Sequence, residues 1–559
     1  MINKLFRKKS VDQIIADAQE GTGLAKVLGV RDLVSLGVAA IVGAGIFSTI
    51  GLASYEGGPA ISLLFIFVAF ACVFTALAYA QFASTVPVSG SAYTYAYVTF
   101  GELFAWIIGW ALVLEYAVSN TVVAISWSQY FVSMLDGFGV HLPRWLTMAP
   151  GYALDAQAKF VDGGALNAAE KLALEAYQSA PRLGKFAIVF DLPAGLVTVL
   201  VTWLVYVGIK ESRRASNIMV GIKLGIILLV VFGGFFFVKP ENWTPFMPNG
   251  VSGVMGSVAA VFFAFIGFDS ISTTAEECKN PQRDLPRAMI LCLVVCTLLY
   301  VAIALVLTGM VNYTELNVKD PLAFVFKYVG FDHMAAIVSI TSVVAITSAL
   351  VVYQLAQPRI WMTMSRDGLL SEKFARVHPK YKTPSFATIV TGLVVVIPSL
   401  FFKMDFFVDL TSVGTFFAFI LVCAGVLYMD YTGLSAKSKF RVPYINGKYL
   451  IGLGFVCCWI FIVRYQPNSI REWQDLPWIA IVEHKLLLIL FWLVWFLLSI
   501  IGYKYSLSLL PVIGILINLY LMSQLGASNW IIFLIWLTVG LVLYFMYGYR
   551  HSKLNKILE

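Results

Sequence analysis

About fourteen apolar runs, each close to the roughly 20 residues a helix needs to cross hydrocarbon, follow one another along this chain. In lipid every backbone polar group must be satisfied internally, so such a series folds as a bundle of membrane-spanning α-helices. The runs lie at 33–55, 60–83, 103–134, 186–209, 217–238, 253–274, 288–311, 334–357, 385–402, 408–429, 449–464, 486–503, 507–522 and 530–549. Of the 559 residues, 60% are hydrophobic and 13% charged, with a mean hydropathy of +0.83, so much of the surface must face lipid. An even number of spans puts both ends of the chain on one side.

The loops fix which side. The segments 1–31, 210–214, 279–287, 359–382 and 437–448 and the C-terminal tail hold roughly 26 Lys and Arg, against roughly 11 in the alternate loops, which assigns them to the cytoplasm. Attraction of this rim to anionic membrane lipid accounts for the formal charge of +8 and calls for no nucleic acid. No cleavable signal peptide is expected, because the first 30 residues are polar and charged. Residues 10–25 are either a surface amphipathic helix, with Ile14, Ile15 and Ala18 on one side, or disordered. The expected division is a cytoplasmic segment (1–31), a ten-helix core (32–430) with an extracellular insertion at 136–185, four further spans (431–549) and a cytoplasmic tail (550–559). Within the insertion, 165–176 has helical composition and suits a small cap, a lid or a partner surface. The seven cysteines avoid the outer loops, so no disulfide framework is expected, and the five histidines are too scattered for a metal site. No cofactor is implied.

Two spans are interrupted at mid-membrane depth, at Ile41-Val42-Gly43-Ala44-Gly45-Ile46-Phe47 and at Ala264-Phe265-Ile266-Gly267-Phe268-Asp269. Gly43 and Gly45 lie about 15 Å from the start of the first span, near the midplane. An unwound backbone is tolerated there only where it lines a polar cavity. The half-helix after Gly45 would aim its positive end at that cavity and suit a carboxylate, while freed carbonyls near Gly267 would accept from an ammonium group. Together they describe a receptor for an α-amino acid, and paired breaks of this kind point to a transporter site. The plainer alternative is that the glycines merely let helices pack closely.

Charges inside the spans cost about 2.5 to 3.5 kcal/mol each on insertion scales and persist for a reason. Lys223 lies roughly 13 Å deep, too far to snorkel out easily, so it is either a proton carrier or a fixed charge that fills a cation site and pins helices. Glu115 is central in the third span, near Tyr116 and Asn120, and either meets a cationic substrate side chain or is paired internally. Asp269 would cap the half-helix it opens. Glu276 and Glu277, with Lys279 and Arg283, suit an ion-pair gate at the inner rim.

The strings Gly43-Ala44-Gly45-Ile46-Phe47, Phe263-Ala264-Phe265-Ile266-Gly267-Phe268-Asp269 and Ala275-Glu276-Glu277-Cys278-Lys279-Asn280-Pro281-Gln282-Arg283-Asp284-Leu285-Pro286 resemble those of the amino acid-polyamine-cation permease superfamily. Gln357-Pro358-Arg359 and Met364-Ser365-Arg366-Asp367-Gly368-Leu369-Leu370 narrow the resemblance to its cationic amino acid transporter branch, which usually has fourteen spans. The resemblance implies an all-α LeuT-type fold, two inverted five-helix repeats with discontinuous first and sixth helices. It implies a substrate carboxylate on the backbone of Gly43, Ala44, Gly45 and Ile46, and an amino group on carbonyls near Ile41 and Phe265, Ile266, Gly267 and Phe268, under Phe265 as a lid. Lys223 would stand where relatives hold a sodium ion, coupling transport to protons, and Thr347 and Ser348 where that site has hydroxyl ligands.

The expectation is therefore a secondary active permease, a proton symporter of neutral or cationic L-amino acids in the cell membrane, whose partners are its substrate, protons and lipid. An exchanger without net proton movement is the alternative. A membrane sensor would need a soluble output region, which no cytoplasmic segment is long enough to supply. An enzyme would need a nucleophile with a positioned base or a metal, and the sequence offers neither.

Overall fold

A computed structural model of the chain describes residues 6–11, 13–14, 28–86, 91–184, 186–208, 213–318, 320–465 and 478–554. Most of the candidate surface helix at 10–25 lies outside the described residues, as do the side chains of Glu276 and Glu277. The described chain is helical apart from one two-stranded hairpin. Eight of its helical stretches are long and apolar enough to cross a membrane, and five shorter ones are apolar, which makes this a multi-pass membrane protein.

Burial separates the core from the lipid face. The apolar window of α5 (Glu102–Gly137) is 94% buried, whereas that of Lys485–Tyr505, within α18 (Trp478–Tyr505), is 11% buried. The first is an axis of the bundle and the second faces lipid. Packed with α5 are α14 (Asp332–Arg366) and α16 (Met404–Thr432), and α3 (Ile61–Thr85) lies against α12 (Pro281–Met310).

Both expected interruptions are present. α1 (Val30–Ile41) ends where the Val42 N–H closes on Val38 O at 2.8 Å. Phe47 N–H then bonds back to Gly43 O at 3.3 Å, opening a π turn, Gly45–Thr49, that runs into α2 (Ile50–Gly57). The second interruption follows α10 (Gly250–Gly256) and α11 (Val258–Phe263) and turns at Gly267, with φ of +114°, into the 3-10 segment Phe268–Glu277.

Some elements exceed what the sequence patterns indicate. α4 (Ser91–Thr99) is a buried nine-residue helix between the second and third apolar runs, too short to register as a span. α14 continues through Pro358 to Arg366, beyond the expected end at 357: proline removes one donor, and packing such as the bond from Gln357 Nε2 to Val113 O at 3.3 Å carries the helix on. The insertion holds two helices, α6 (Pro150–Val161) and α7 (Ala168–Ser179), where the pattern indicates one. α7 starts with a reciprocal cap, Asn167 Oδ1 accepting from Glu170 N–H and the Glu170 carboxylate from Asn167 N–H, both at 2.8 Å. Met148, Ala153, Ala156, Ala173 and Ala176 form a separate small core between them. Tyr152 and an ion pair between Asp155 and Lys403 fasten this unit to the start of α16.

Candidate functional site

The two interruptions lie against each other, and glycine is what permits it. A Cβ on Gly45 would fall 2.3 Å from Ala264 Cα, and one on Gly267 would fall 3.1 Å from the carbonyl carbon and oxygen of Ala40. Close packing and broken helices, alternatives in the sequence, are thus both present. Gly43 differs from Gly45, because a Cβ there would meet only ordinary contacts, the Ala349 methyl at 3.4 Å and Ala40 O at 4.0 Å. Ile41, Gly43, Ala44, Gly45, Ile46, Phe265, Ile266, Gly267 and Phe268 are all buried around this contact.

Two side chains hold the carbonyls that the breaks expose. Tyr300, from α12, places its hydroxyl 3.1 Å from Ile41 O and 2.9 Å from Ala264 O, so one donor is shared by both interrupted helices. Its ring packs on Phe265, with centroids 5.3 Å apart, and on Phe65 at 5.6 Å. Lys223 comes from α9 (Arg213–Phe235), is fully buried, and donates from Nζ to Ala39 O at 2.7 Å. The amine therefore ties α9 to the last turn of α1 before its break, with Cys296 of α12 as a further neighbour. Depth in an apolar run marks Lys223 in the sequence. Nothing marks Tyr300, since a single tyrosine within a span carries no pattern.

The other candidates are placed as follows. Asp269 is buried against the backbone amides of Gly267, Asp269 and Ser270, at the start of the 3-10 segment. Glu115 is also buried, with Asp269, Tyr116 and Thr415 as neighbours. Tyr79 and Tyr353 share that neighbourhood, and the Tyr79 hydroxyl has no hydrogen-bond partner there among the described residues. Asn120 instead bonds Gln354 of α14. Thr347 Oγ1 accepts from Trp127 Nε1 at 2.8 Å and donates to Val343 O at 2.7 Å, and Ser348 Oγ donates to Ala345 O at 3.0 Å. Ala349 of α14 lies against the first break, its methyl 3.4 Å from where a Cβ on Gly43 would stand.

On the far side of the break, Thr49 Oγ1 bonds both Gly45 O at 2.7 Å and Ala260 O at 3.0 Å. Tyr130 OH donates to Phe47 O at 2.5 Å. On the near side, Lys279 N–H donates to Leu28 O at 3.0 Å, which ties the beginning of α1 to the end of the 3-10 segment. Each interrupted helix thus consists of two halves, with corresponding halves bonded to each other.

Comparison with known proteins gives the chain a family. A family model described as amino acid permease matches residues 28–483, and one describing the C-terminus of such permeases matches 507–552. A branched-chain amino acid permease of Bacillus subtilis is 37% identical over the full length of both chains. A methylthioribose transporter of the same organism is 36% identical over 99% of this chain and 100% of its own. The human cationic amino acid transporter 4 is 30% identical over 100% of this chain and 92% of its own. With one model covering most of the sequence and such relatives aligned nearly end to end, the chain belongs to the amino acid permease family, within the amino acid-polyamine-cation superfamily.

Proposed function

We propose that this permease symports neutral or cationic L-amino acids with protons by alternating access. Its architecture would be the LeuT-type pair of inverted five-helix repeats within 32–430, followed by four further spans at 431–549, with both termini in the cytoplasm. The observation that carries the reading is the meeting of two broken helices whose exposed carbonyls are held by Tyr300 and Lys223.

In this reading the substrate carboxylate binds the backbone of Gly43, Ala44, Gly45 and Ile46 at the positive end of the outer half-helix. The ammonium group bonds carbonyls from Ile41 and from 265–268, and competes there with the Tyr300 hydroxyl. Phe265 covers it, and Glu115 meets the side chain of a cationic substrate. Asp269 fixes the second break and Glu276 belongs to the inner gate, while Thr347 and Ser348 belong to a site shaped like that of a bound cation.

Lys223 supplies the coupling. A protonated amine makes a charge-assisted bond to Ala39 O, roughly twice as strong as a neutral one, so gain or loss of the proton tightens or loosens α1 against α9. Protonation then biases the balance between the two end states. Counterflow of labelled alanine, leucine and arginine into liposomes holding the purified protein tests the substrate class. Methylthioribose belongs in the same panel because a relative is named for it. Exchange of an amino acid is expected, and exchange of methylthioribose alone would overturn the reading.

A further inference from the structure

Away from the two breaks, on the face that carries both ends of the chain, one carboxylate gathers four side-chain donors. Glu102, at the start of α5, is fully buried and accepts from Arg7 Nη2 at 3.0 Å, Tyr544 OH at 2.9 Å, Tyr97 OH at 3.1 Å and Ser552 Oγ. Its backbone N–H also donates to Arg7 O at 2.8 Å. Arg7 belongs to the N-terminal arm, Tyr97 to α4, and Tyr544 and Ser552 to the end of the last helix. Segments 442 and 450 residues apart from Glu102 at the farthest are thus joined through one side chain.

The backbone is shaped to admit both ends. Gly101 has φ of +99°, and a Cβ there would fall 2.6 Å from the carbonyl carbon of Phe6 in the arm. Gly368 has φ of +82°, and a Cβ there would fall 2.3 Å from His551 O. The last helix, α20 (Ala527–Leu543), passes into a π turn, Tyr544–Gly548, a distortion frequent at functional sites, and its first residue is the tyrosine that reaches Glu102. A second carboxylate repeats the pattern nearby: Asp367 accepts from Lys9 Nζ at 2.7 Å and Tyr93 OH at 2.6 Å, and its carbonyl accepts from Lys553 N–H at 3.1 Å.

A buried ion pair seldom stabilises more than well-packed apolar residues of the same volume, and its best-attested use is to specify one arrangement against another. Here the arrangement holds the N-terminal arm, which leads into α1, against the ends of α5 and α14. We propose that Glu102 is a positioning residue of the transport cycle: it locks the arm and the end of the last helix together over the terminal face, and opening to that face requires their release. The last helix is then part of the gate rather than an appendage. The proposal rests on the alternating-access reading, but its test needs no substrate.

Cys278 supplies the readout, being fully buried beside Leu28 where the near halves of the two broken helices join. Reaction of full-length protein in liposomes with N-ethylmaleimide, followed by peptide mass spectrometry, gives its labelling rate. Cys72 and Cys423, buried in α3 and α16, report global unfolding in the same sample. In Glu102→Gln and in the milder Tyr544→Phe, Cys278 is expected to label roughly tenfold faster than in wild type, with Cys72 and Cys423 unchanged. Unchanged Cys278 labelling in folded protein would overturn the proposal and leave Glu102 a structural ion pair. If Glu102→Gln exposes Cys72 and Cys423 as well, Tyr544→Phe, which keeps the Arg7 pair, decides between the lock and the structural ion pair by the same comparison. Because wild-type labelling is the reference, this result stands whether or not the amino acid panel is transported.

Discussion

Tyr300 is the residue on which both interrupted helices depend at once. Tyr300→Phe leaves Ile41 O and Ala264 O without their shared donor, at a cost of about 1–3 kcal/mol for buried groups left unpaired. The variant should unfold at lower temperature, and because the carbonyl it frees is one the substrate ammonium group would take, added amino acid should raise that temperature by more than in wild type; thermal unfolding with and without ligand checks both, and wild-type values would refute the role. The glycines divide in the same way. Gly45→Ala should abolish uptake because its Cβ would overlap the Ala264 backbone, while Gly43→Ala, whose Cβ meets the Ala349 methyl and Ala40 O at ordinary contact distances, should fold normally. Equal thermal stability of the two would contradict this packing. At this scale the glycines and Lys223 are legible in the sequence, because each breaks the pattern of an apolar run. Their partners are not, since Ala39 O, Ile41 O and Ala264 O are backbone atoms that any sequence offers, and the bond from Lys223 spans 184 residues.

Among the elements, the pairing of the last helix with α5 has an unusual chemistry. Trp106 Nε1 donates to Gly540 O and Trp110 Nε1 to Trp536 O, both at 2.8 Å, and Trp536 Nε1 returns a bond to Trp110 O at 3.0 Å. Gly540 admits this seam, for a Cβ there would fall 2.3 Å from Trp110 Cδ1. Gly540→Val should cost about 1–3 kcal/mol through overpacking, read as a lowered unfolding temperature. The insertion makes a different prediction, in pH. The Lys159 amine and the Asn167 amide hold the Glu170 carboxyl below its ordinary value, so the folded state favours the ionised form. The stabilisation of α7 is therefore present above the ordinary carboxylate value and lost as pH falls through the lowered one. Protection of the α7 amides, taken as their exchange rate relative to the unstructured chain at the same pH, should fall on acidification in wild type, and Glu170→Gln should remove that loss. Of these elements only the second helix of the cap is legible in the sequence. The first begins with Pro150, a helix-start signal with little apolar pattern behind it, and the Trp seam depends on which helices become neighbours.

For the whole molecule, composition and apolar periodicity suffice to indicate a helical membrane protein, because hydrocarbon permits so few backbone solutions. What the pattern leaves open is how the ends of the chain are used. Arg7, Glu102 and Ser552 lie outside the apolar runs and Tyr544 within the last one, and only the fold brings them to one point. The central claim is that the broken-helix junction takes an amino acid and that Lys223 links its movement to a proton. Accumulation of the amino acid that exchanges best, in liposomes with an imposed inward proton gradient, compares wild type with Lys223→Ala. The account predicts gradient-driven accumulation in wild type, abolished in the variant. Accumulation in both, or counterflow in both with no net accumulation in either, would contradict it.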